Sequence, residues 1–357
     1  MSSTMGQKVK VSVFGQSHSG AVGVVIDGLP AGERIDLAAV EKFLGRRAPG
    51  KTRYSTPRTE SDKPSVLSGL VGDTTCGAPL CAVIENSDVR SSDYEPHLDI
   101  PRPSHADYPA HVKYRGANDI RGGGHFSGRL TAPLCFAGAV CSQILARKGI
   151  RIGAHLASVG TAEDAPFDPV MVTAEQFDEI AAKDFPVIDD SAGDLMKAEI
   201  EKALAGQDSV GGVVECCALG MPVGIGDPMF DGVENRLAAA IFGIPAVRGV
   251  EFGAGFAAAR MRGSVHNDPY YVDNENIMTK TNNHGGILGG ITTGMPIVLR
   301  AAFKPTSSIG IEQDSVSLSR LENRKISVKG RHDPCIAVRA VPVVEAVVAI
   351  TLLDFLV

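Results

Sequence analysis

The chain has 357 residues, 44% of them hydrophobic and 21% charged, with a formal net charge of −6 at pH 7. That composition excludes the disordered, fibrous and disulfide-built classes and supplies apolar material for one large core or two modest ones. A net negative surface argues against nucleic acid and membrane as partners. The cysteines (Cys76, Cys81, Cys135, Cys141, Cys216, Cys217, Cys335) are odd in number and form no C-x-x-C pair, so no metal site is expected and most read as small buried hydrophobes. Free thiols and a start without a signal-length apolar stretch point to the cytoplasm.

In chain order, residues 8–13 alternate polar and apolar, the period of a half-buried strand, and an apolar run resumes over 22–26. The turn Gly15-Gln16-Ser17-His18-Ser19-Gly20 is therefore held between two strands. Asp36 caps a helix on which Leu37, Val40 and Leu44 share a face, and Pro49-Gly50 ends it just after Arg46 and Arg47. Strands are predicted at 66–71 and 80–84. From 87 to 124 the sequence is polar and broken by Pro96, Pro101, Pro103 and Pro109, and a loop of that length is uncommon unless it has a function.

Gly122-Gly123-Gly124 then enters a helix carrying Leu134, Ala137, Cys141, Ile144 and Leu145 at helical spacing, a place where backbone amides can meet an anion. A strand at 150–159, a helix at 190–205, a strand at 210–220, a helix at 233–242 and a strand at 247–252 follow. After the glycine-rich stretch 285–290 comes a strand at 296–303, and Pro334 is read as starting a final apolar helix. The run 341–357 carries Glu345 and Asp354 and is shorter than the roughly 20 residues of a membrane span, so a buried helix is expected. Strands and helices mix without a strict βαβ rhythm, which favours α+β over a doubly wound sheet. No linker interrupts the chain, so 1–357 reads as a single domain.

Five stretches carry candidate chemistry. Residues 46–63 gather Arg46, Arg47, Lys51, Arg53, Arg58 and Lys63 against only Glu60 and Asp62, a patch suited to a small multiply charged anion, although a solvated loop face fits the same residues. His18 in its turn can exchange a proton near neutrality, or be an ordinary turn histidine. His105 lies in a proline-stiffened loop with Asp107 two residues on, a carboxylate able to orient or charge the ring. Lys304-Pro305-Thr306-Ser307-Ser308-Ile309 offers a cation, hydroxyls and amides in a tight space, as a phosphate site or a plain hydroxyl-rich turn. Arg331-His332-Asp333 adds a cation, an imidazole and a carboxylate before the last helix.

Taken together, these stretches resemble the chorismate synthases. The matching segments are Val13 with Phe14-Gly15-Gln16-Ser17-His18, Arg47 through Gly50 with Arg53-Tyr54, Arg102-Pro103-Ser104-His105-Ala106-Asp107, Tyr114-Arg115-Gly116 with Arg121 to Gly124, Val250-Glu251-Phe252-Gly253, 285–290, 304–309 and Arg331 to Cys335. The resemblance implies an α+β sandwich with helices between antiparallel sheets, usually a homotetramer. It implies conversion of 5-enolpyruvylshikimate 3-phosphate to chorismate and phosphate, the last step of the shikimate pathway, with reduced FMN (FMNH2) lending an electron transiently.

By matched position, His18 resembles the histidine that protonates the departing phosphate, His105 the one that serves the reduced flavin, and Asp333 the carboxylate that works with flavin N5 in removing the C6 proton. Arg47, Arg53, Arg129 and Arg331 are the implied substrate-binding arginines. FMN contacts fall on His125, Phe126, Ser127, Ala246, Gly289, Lys304, Pro305, Thr306, Ser307, Ser308 and Arg331.

The chain departs from the family at identifiable places. Gln16 and an extra Ser19 replace the usual Gly-Glu-Ser-His-Gly turn, and Gly122 to Thr131 has His125, Phe126 and Leu130 where the family has Gly-Gly-Gly-Arg-Ser-Ser-Ala-Arg-Glu-Thr; Pro245 stands where asparagine is frequent. A non-catalytic flavin-binding relative is the alternative that these changes favour. A flavin oxidoreductase with net hydride transfer lacks support, since no dinucleotide fingerprint follows a strand. Some family members reduce their own flavin with NADPH; no added segment for that is visible, so an external flavin reductant is expected.

Overall fold

The computed structural model describes residues 3–50, 54, 56, 60, 62–87, 99–328 and 332–357. Its α-helices are α1 (Leu37–Arg47), α2 (Asp107–Tyr114), α3 (Thr131–Arg147), α4 (Ala174–Ala181), α5 (Asp190–Ala205), α6 (Val233–Phe242), α7 (Gly263–His266) and α8 (Ala337–Leu356). Two five-stranded sheets accompany them. The first runs Thr4–Met5, Lys10–Gly15, Ala21–Asp27, Leu80–Glu85, Pro64–Ser68, and the second runs Val247–Phe252, Ile297–Phe303, Gly212–Leu219, Arg151–Val159, Ala162–Glu163. Every pairing in both is antiparallel.

Helices α3 and α8 lie between the sheets, as expected, whereas α4 packs on the outer face of the second sheet. Helix α3 packs on Ala21–Asp27 and Leu80–Glu85, α8 packs on Arg151–Val159 and Gly212–Leu219, and the two helices pack on one another. Gly138 permits their close approach: a Cβ there would stand 2.2 Å from the Cα of Ala346. Helix α8 is apolar on every face but for Arg339, Glu345, Thr351 and Asp354, and such a helix belongs inside a core. One hydrophobic cluster joins the layers through Ile26 and Leu80 of the first sheet, Phe136 and Ile144 of α3, Val347 and Ile350 of α8, and Leu156 and Leu299 of the second sheet. On the other face of the second sheet, Phe167, Phe177, Ile180, Cys217 and Val298 make a smaller cluster. Neighbours Cys216 and Cys217 thus point into different clusters, as the two-residue period of a strand requires.

All seven cysteines are free, and five are buried. Burial pushes the Cys135 and Cys141 thiols up to about 12 and Cys335 to about 11, which leaves them inert as nucleophiles. The stretch Gly128–Arg147 is long and apolar enough to cross a membrane, and 78% of its apolar window is buried inside the fold, the condition of a core helix.

Two acids on α8 survive burial because each is fully engaged. Glu345 takes a fork from Arg46 at 2.5 and 2.8 Å and the Ala154 amide at 3.0 Å. Asp354 accepts the amides of Gln7, Lys8 and Val9 at 2.8, 2.6 and 2.6 Å, and pairs with Arg236.

Some expectations need correction. Helix α8 begins at Ala337, beyond Pro334, and continues through Pro342, whose missing N–H is outweighed by packing on every side. The segment 87–124 is not all loop: it contains α2, in which Pro109 sits in the first turn, where an amide has no intrahelical partner to lose.

Candidate functional site

A cavity of about 680 Å³ opens where the C-terminus of α1, the loop before α2, the glycine loop before α3, residues 242–248, residues 303–308 and the start of α8 converge. Of the residues singled out from the sequence, Arg47, His105, His125, Phe126, Ser127, Arg129, Ala246, Lys304, Pro305, Thr306, Ser307, Ser308 and Asp333 line it. Arg53 and Arg331 lie outside the described residues. Gly289 is exposed on the hairpin of Ile287–Leu288 and Ile291–Thr292 and is not part of the lining.

The two described arginines are joined by an acid. Arg47, the last residue of α1, donates Nε to Thr131 Oγ1 at 3.1 Å and Nη1 to Asp62. Arg129 donates Nε to Asn86 Oδ1 at 2.8 Å, Nη2 to the Glu85 carbonyl at 3.0 Å, and Nη1 to the other oxygen of Asp62. Glu60 stands 3.8 Å from Arg129. Burial opposes ionisation of Asp62, but Arg47 and Arg129 together hold its carboxyl below the ordinary range. In sequence Glu60 and Asp62 merely diluted a basic stretch; in the fold both are buried, Asp62 pairing with Arg47 of that stretch and both facing Arg129 from outside it.

Asp333 is fixed from both sides. Its Oδ1 accepts the Thr56 amide at 2.8 Å and its Oδ2 accepts Arg339 Nη1 at 2.6 Å, while its carbonyl accepts the Thr306 hydroxyl at 2.8 Å. Arg339 also donates Nε to the Arg47 carbonyl at 2.8 Å, so one guanidinium buttresses both the carboxylate and the end of α1. Burial, with Arg47 close by, draws Arg339 below its ordinary value against the pull of Asp333. Sequence reasoning missed Arg339; its signal was a lone cation in the first turn of an otherwise apolar helix, a position that demands a partner.

His105 is oriented by Asp107. Nδ1 lies 2.6 Å from Asp107 Oδ1, and because a carboxylate only accepts, Nδ1 carries the proton and Nε2 faces the glycine loop. Arg102 forks the same carboxylate at 2.8 and 2.9 Å and reaches Ser308 Oγ at 3.1 Å. Although burial pushes the other way, Arg102 and His105 hold Asp107 well below the usual carboxylate range.

His18 sits behind the cavity wall. A Cβ on Gly122 would stand 2.3 Å from His18 Cε1, and one on Gly123 would stand 3.3 Å from His105 Nε2. Gly122, Gly123 and Gly124 have φ of 60°, 88° and 53°, so only glycine both adopts this loop and lets the two imidazoles approach it. Ser19 closes the His18 turn: its hydroxyl accepts the Gln16 amide at 3.0 Å and lies within donating distance of the Gln16 and Ala21 carbonyls. Asn86 donates to the Gln16 and Ser19 carbonyls at 3.0 and 2.7 Å and so couples this turn to Arg129.

The departures in the glycine loop find local roles. His125 donates Nδ1 to the Gly15 carbonyl at 2.8 Å, which leaves Nε2 to accept the Ser3 hydroxyl at 2.8 Å. Leu130 is buried in the core, and Phe126 remains 40% exposed at the cavity with its ring 6.4 Å from that of Tyr114. Across the cavity, Lys304 donates to Ser307 Oγ at 2.7 Å, and Ser307 Oγ donates to the Ser104 carbonyl at 3.0 Å. Burial, with Arg248 and Arg102 nearby, lowers Lys304. An anion would relieve these crowded cations.

The comparisons agree with this geometry. The profile of the family described as chorismate synthase matches residues 9–357. The chorismate synthase of Thermococcus kodakarensis is 46% identical over 352 residues, covering 98% of this chain and 96% of that one, and the one of Pyrococcus abyssi is 48% identical over 352 residues with the same coverage. A crystal structure of chorismate synthase superposes with a TM-score of 0.78 at 27% identity, covering 99% of this chain and 92% of the other. A family profile over nearly the whole sequence, close full-length relatives and a shared fold lead to one conclusion: the chain belongs to the chorismate synthase family and is a lyase of the shikimate pathway acting on a phosphate-bearing substrate.

Proposed function

We propose that the chain carries out the net 1,4-elimination of phosphate from 5-enolpyruvylshikimate 3-phosphate in the 680 Å³ cavity, with FMN bound there in its reduced form. The observation that carries this reading is the convergence of His105, Asp333, Arg47, Arg129 and the 304–308 segment on that one space. Its volume falls within the range of about 300 to 1,000 Å³ usual for small-molecule sites. The residues fit a flavin phosphate and ring: Lys304 and the hydroxyls of Thr306, Ser307 and Ser308 form a polar end, and Phe242, Ile244, Val247 and Phe303 form an apolar wall. Reduced FMN supplies an electron transiently and recovers it, so the reaction has no net redox change.

The protein's residues do the rest. Arg47 and Arg129 hold phosphate or carboxylate, with Arg53 and Arg331 assigned beside them by resemblance. The allylic C–O bond breaks and phosphate leaves with the electron pair; His18, behind Gly122, is assigned the proton for it, and Asp333 is assigned the proton leaving C6. His105 serves the reduced flavin through Nε2. His125, Phe126, Ser127, Ala246 and Pro305 complete the flavin contacts, while Gly289, outside the lining, is given none within this chain's cavity.

The reading extends to one domain over 1–357, supported by the continuous cluster that joins both sheets, to a cytoplasmic homotetramer, and to an external reductant in place of NADPH. Phosphate release measured anaerobically with chemically reduced FMN tests it: turnover lost in His18→Ala and Asp333→Ala supports it, whereas flavin binding without phosphate release supports the non-catalytic alternative. Aerobic turnover with NADPH and FMN alone would refute the external reductant.

A further inference from the structure

We infer that Asp62 is a positioning residue for substrate recognition, the shared counter-ion that sets Arg47 and Arg129 as one clamp; this rests on the proposed function. Asp62 is 2% exposed, and each of its two oxygens receives a different guanidinium, one from the end of α1 and one from the turn before α3. Two buried cations without an anion between them would repel and turn apart, and each would lose the direction of its remaining N–H groups. A carboxylate with one oxygen for each holds both in register.

Asp62 has φ of 48°, in the left-handed region that aspartate and asparagine adopt more readily than other residues with a side chain. The residues on either side of the clamp are also tied: Thr131 takes Arg47 Nε, and Asn86 takes Arg129 Nε. With Asp62 ionised, Arg47, Arg129 and Asp62 leave one positive charge, and Glu60, 3.8 Å from Arg129, offsets even that. Recognition of a multiply charged anion then depends on aligned donors more than on bulk charge, which discriminates against inorganic phosphate.

Asp62→Asn tests this, because asparagine also tolerates the left-handed region and keeps the shape while removing the charge. The expected result is a KM for 5-enolpyruvylshikimate 3-phosphate raised about tenfold with kcat within about threefold, and a matching loss in substrate affinity by calorimetry on the protein without flavin. Inorganic phosphate is expected to bind the variant no more weakly than the wild type. An unchanged or lower KM alongside wild-type turnover overturns the inference alone, as does a lower melting temperature with KM intact. If Asp62→Asn does not fold, Asp62→Gly, which also accepts a φ of 48° and removes the carboxylate, is expected to give the same roughly tenfold rise in KM; an unchanged KM there overturns the inference. A wild-type chain that neither binds nor turns over the substrate sinks the function reading and this inference with it.

Discussion

Asp333 owes its direction to Arg339 as much as to its own rotamer. The carboxylate sits between the Thr56 amide and the Arg339 guanidinium, and the same guanidinium reaches the Arg47 carbonyl. Replacing it with an apolar chain leaves one carboxylate oxygen unpaired in a largely buried position and unties the end of α1. Arg339→Met is therefore expected to lower kcat by about 10- to 100-fold, at or below the low end of the roughly 10²- to 10⁴-fold that general acid and base groups contribute, because it acts only through Asp333. Arg339→Lys can restore a single contact to Asp333 but not the second to Arg47, so partial rescue is expected. Steady-state kinetics with reduced FMN measures both, and equal loss in the two variants would show that charge beside Asp333 does not matter. The tie from Arg339 to Arg47 and the bridge from Asp62 to Arg129 were not legible in the sequence, because each spans a long stretch of chain. That His105 and Asp333 would stand at a cavity was legible because prolines and charges cluster locally around them.

At the scale of elements, legibility followed local signals. The expected helix at 190–205 matches α5 because Asp189 caps it, and the Asp36 cap on α1 likewise accepts the Ala38 and Ala39 amides at 2.9 and 3.1 Å. Helix α4 and the hairpin of Tyr270–Asp273 with Asn276–Thr279 went unread: the helix is short, and the exposed hairpin has no buried face to impose a period. The second sheet holds a feature that periodicity could not show, namely His155, fully buried in Arg151–Val159, between Asp164 at 3.1 Å and Glu215 at 3.0 Å. Burial lowers the imidazole, but the two carboxylates outweigh it and raise it above its ordinary value. Such a group contributes stability in full below its unfolded value and loses it as pH rises through the folded one. His155→Gln is thus expected to cost about 3 kcal/mol at pH 6, as for one broken buried pair. The gap from wild type should narrow in alkaline solution. Denaturant unfolding at several pH values checks this, and a gap that widens with pH would contradict the charged imidazole.

Across the whole molecule, the cavity draws its walls from residues as distant in sequence as Arg47 and Arg339, so it exists only once both sheets have docked on α3 and α8. Contacts of such separation are formed against a large loop-closure cost, and something must hold the ends in place. Asp354, near the end of α8, does so by accepting three successive amides at Gln7, Lys8 and Val9 and pairing with Arg236. It lies away from the cavity lining, so its effect on function passes only through the fold. Asp354→Ala leaves three amides and a guanidinium without their acceptor, an expected loss of about 3 to 5 kcal/mol. Because the native cavity is unaltered, kcat at 25 °C in the folded fraction should stay at the wild-type value. Denaturant titration followed by both secondary structure and phosphate release separates the two effects: a lower midpoint with unchanged kcat is expected, while a drop in kcat well below the unfolding transition would mean that the closure of the chain's ends also shapes the site.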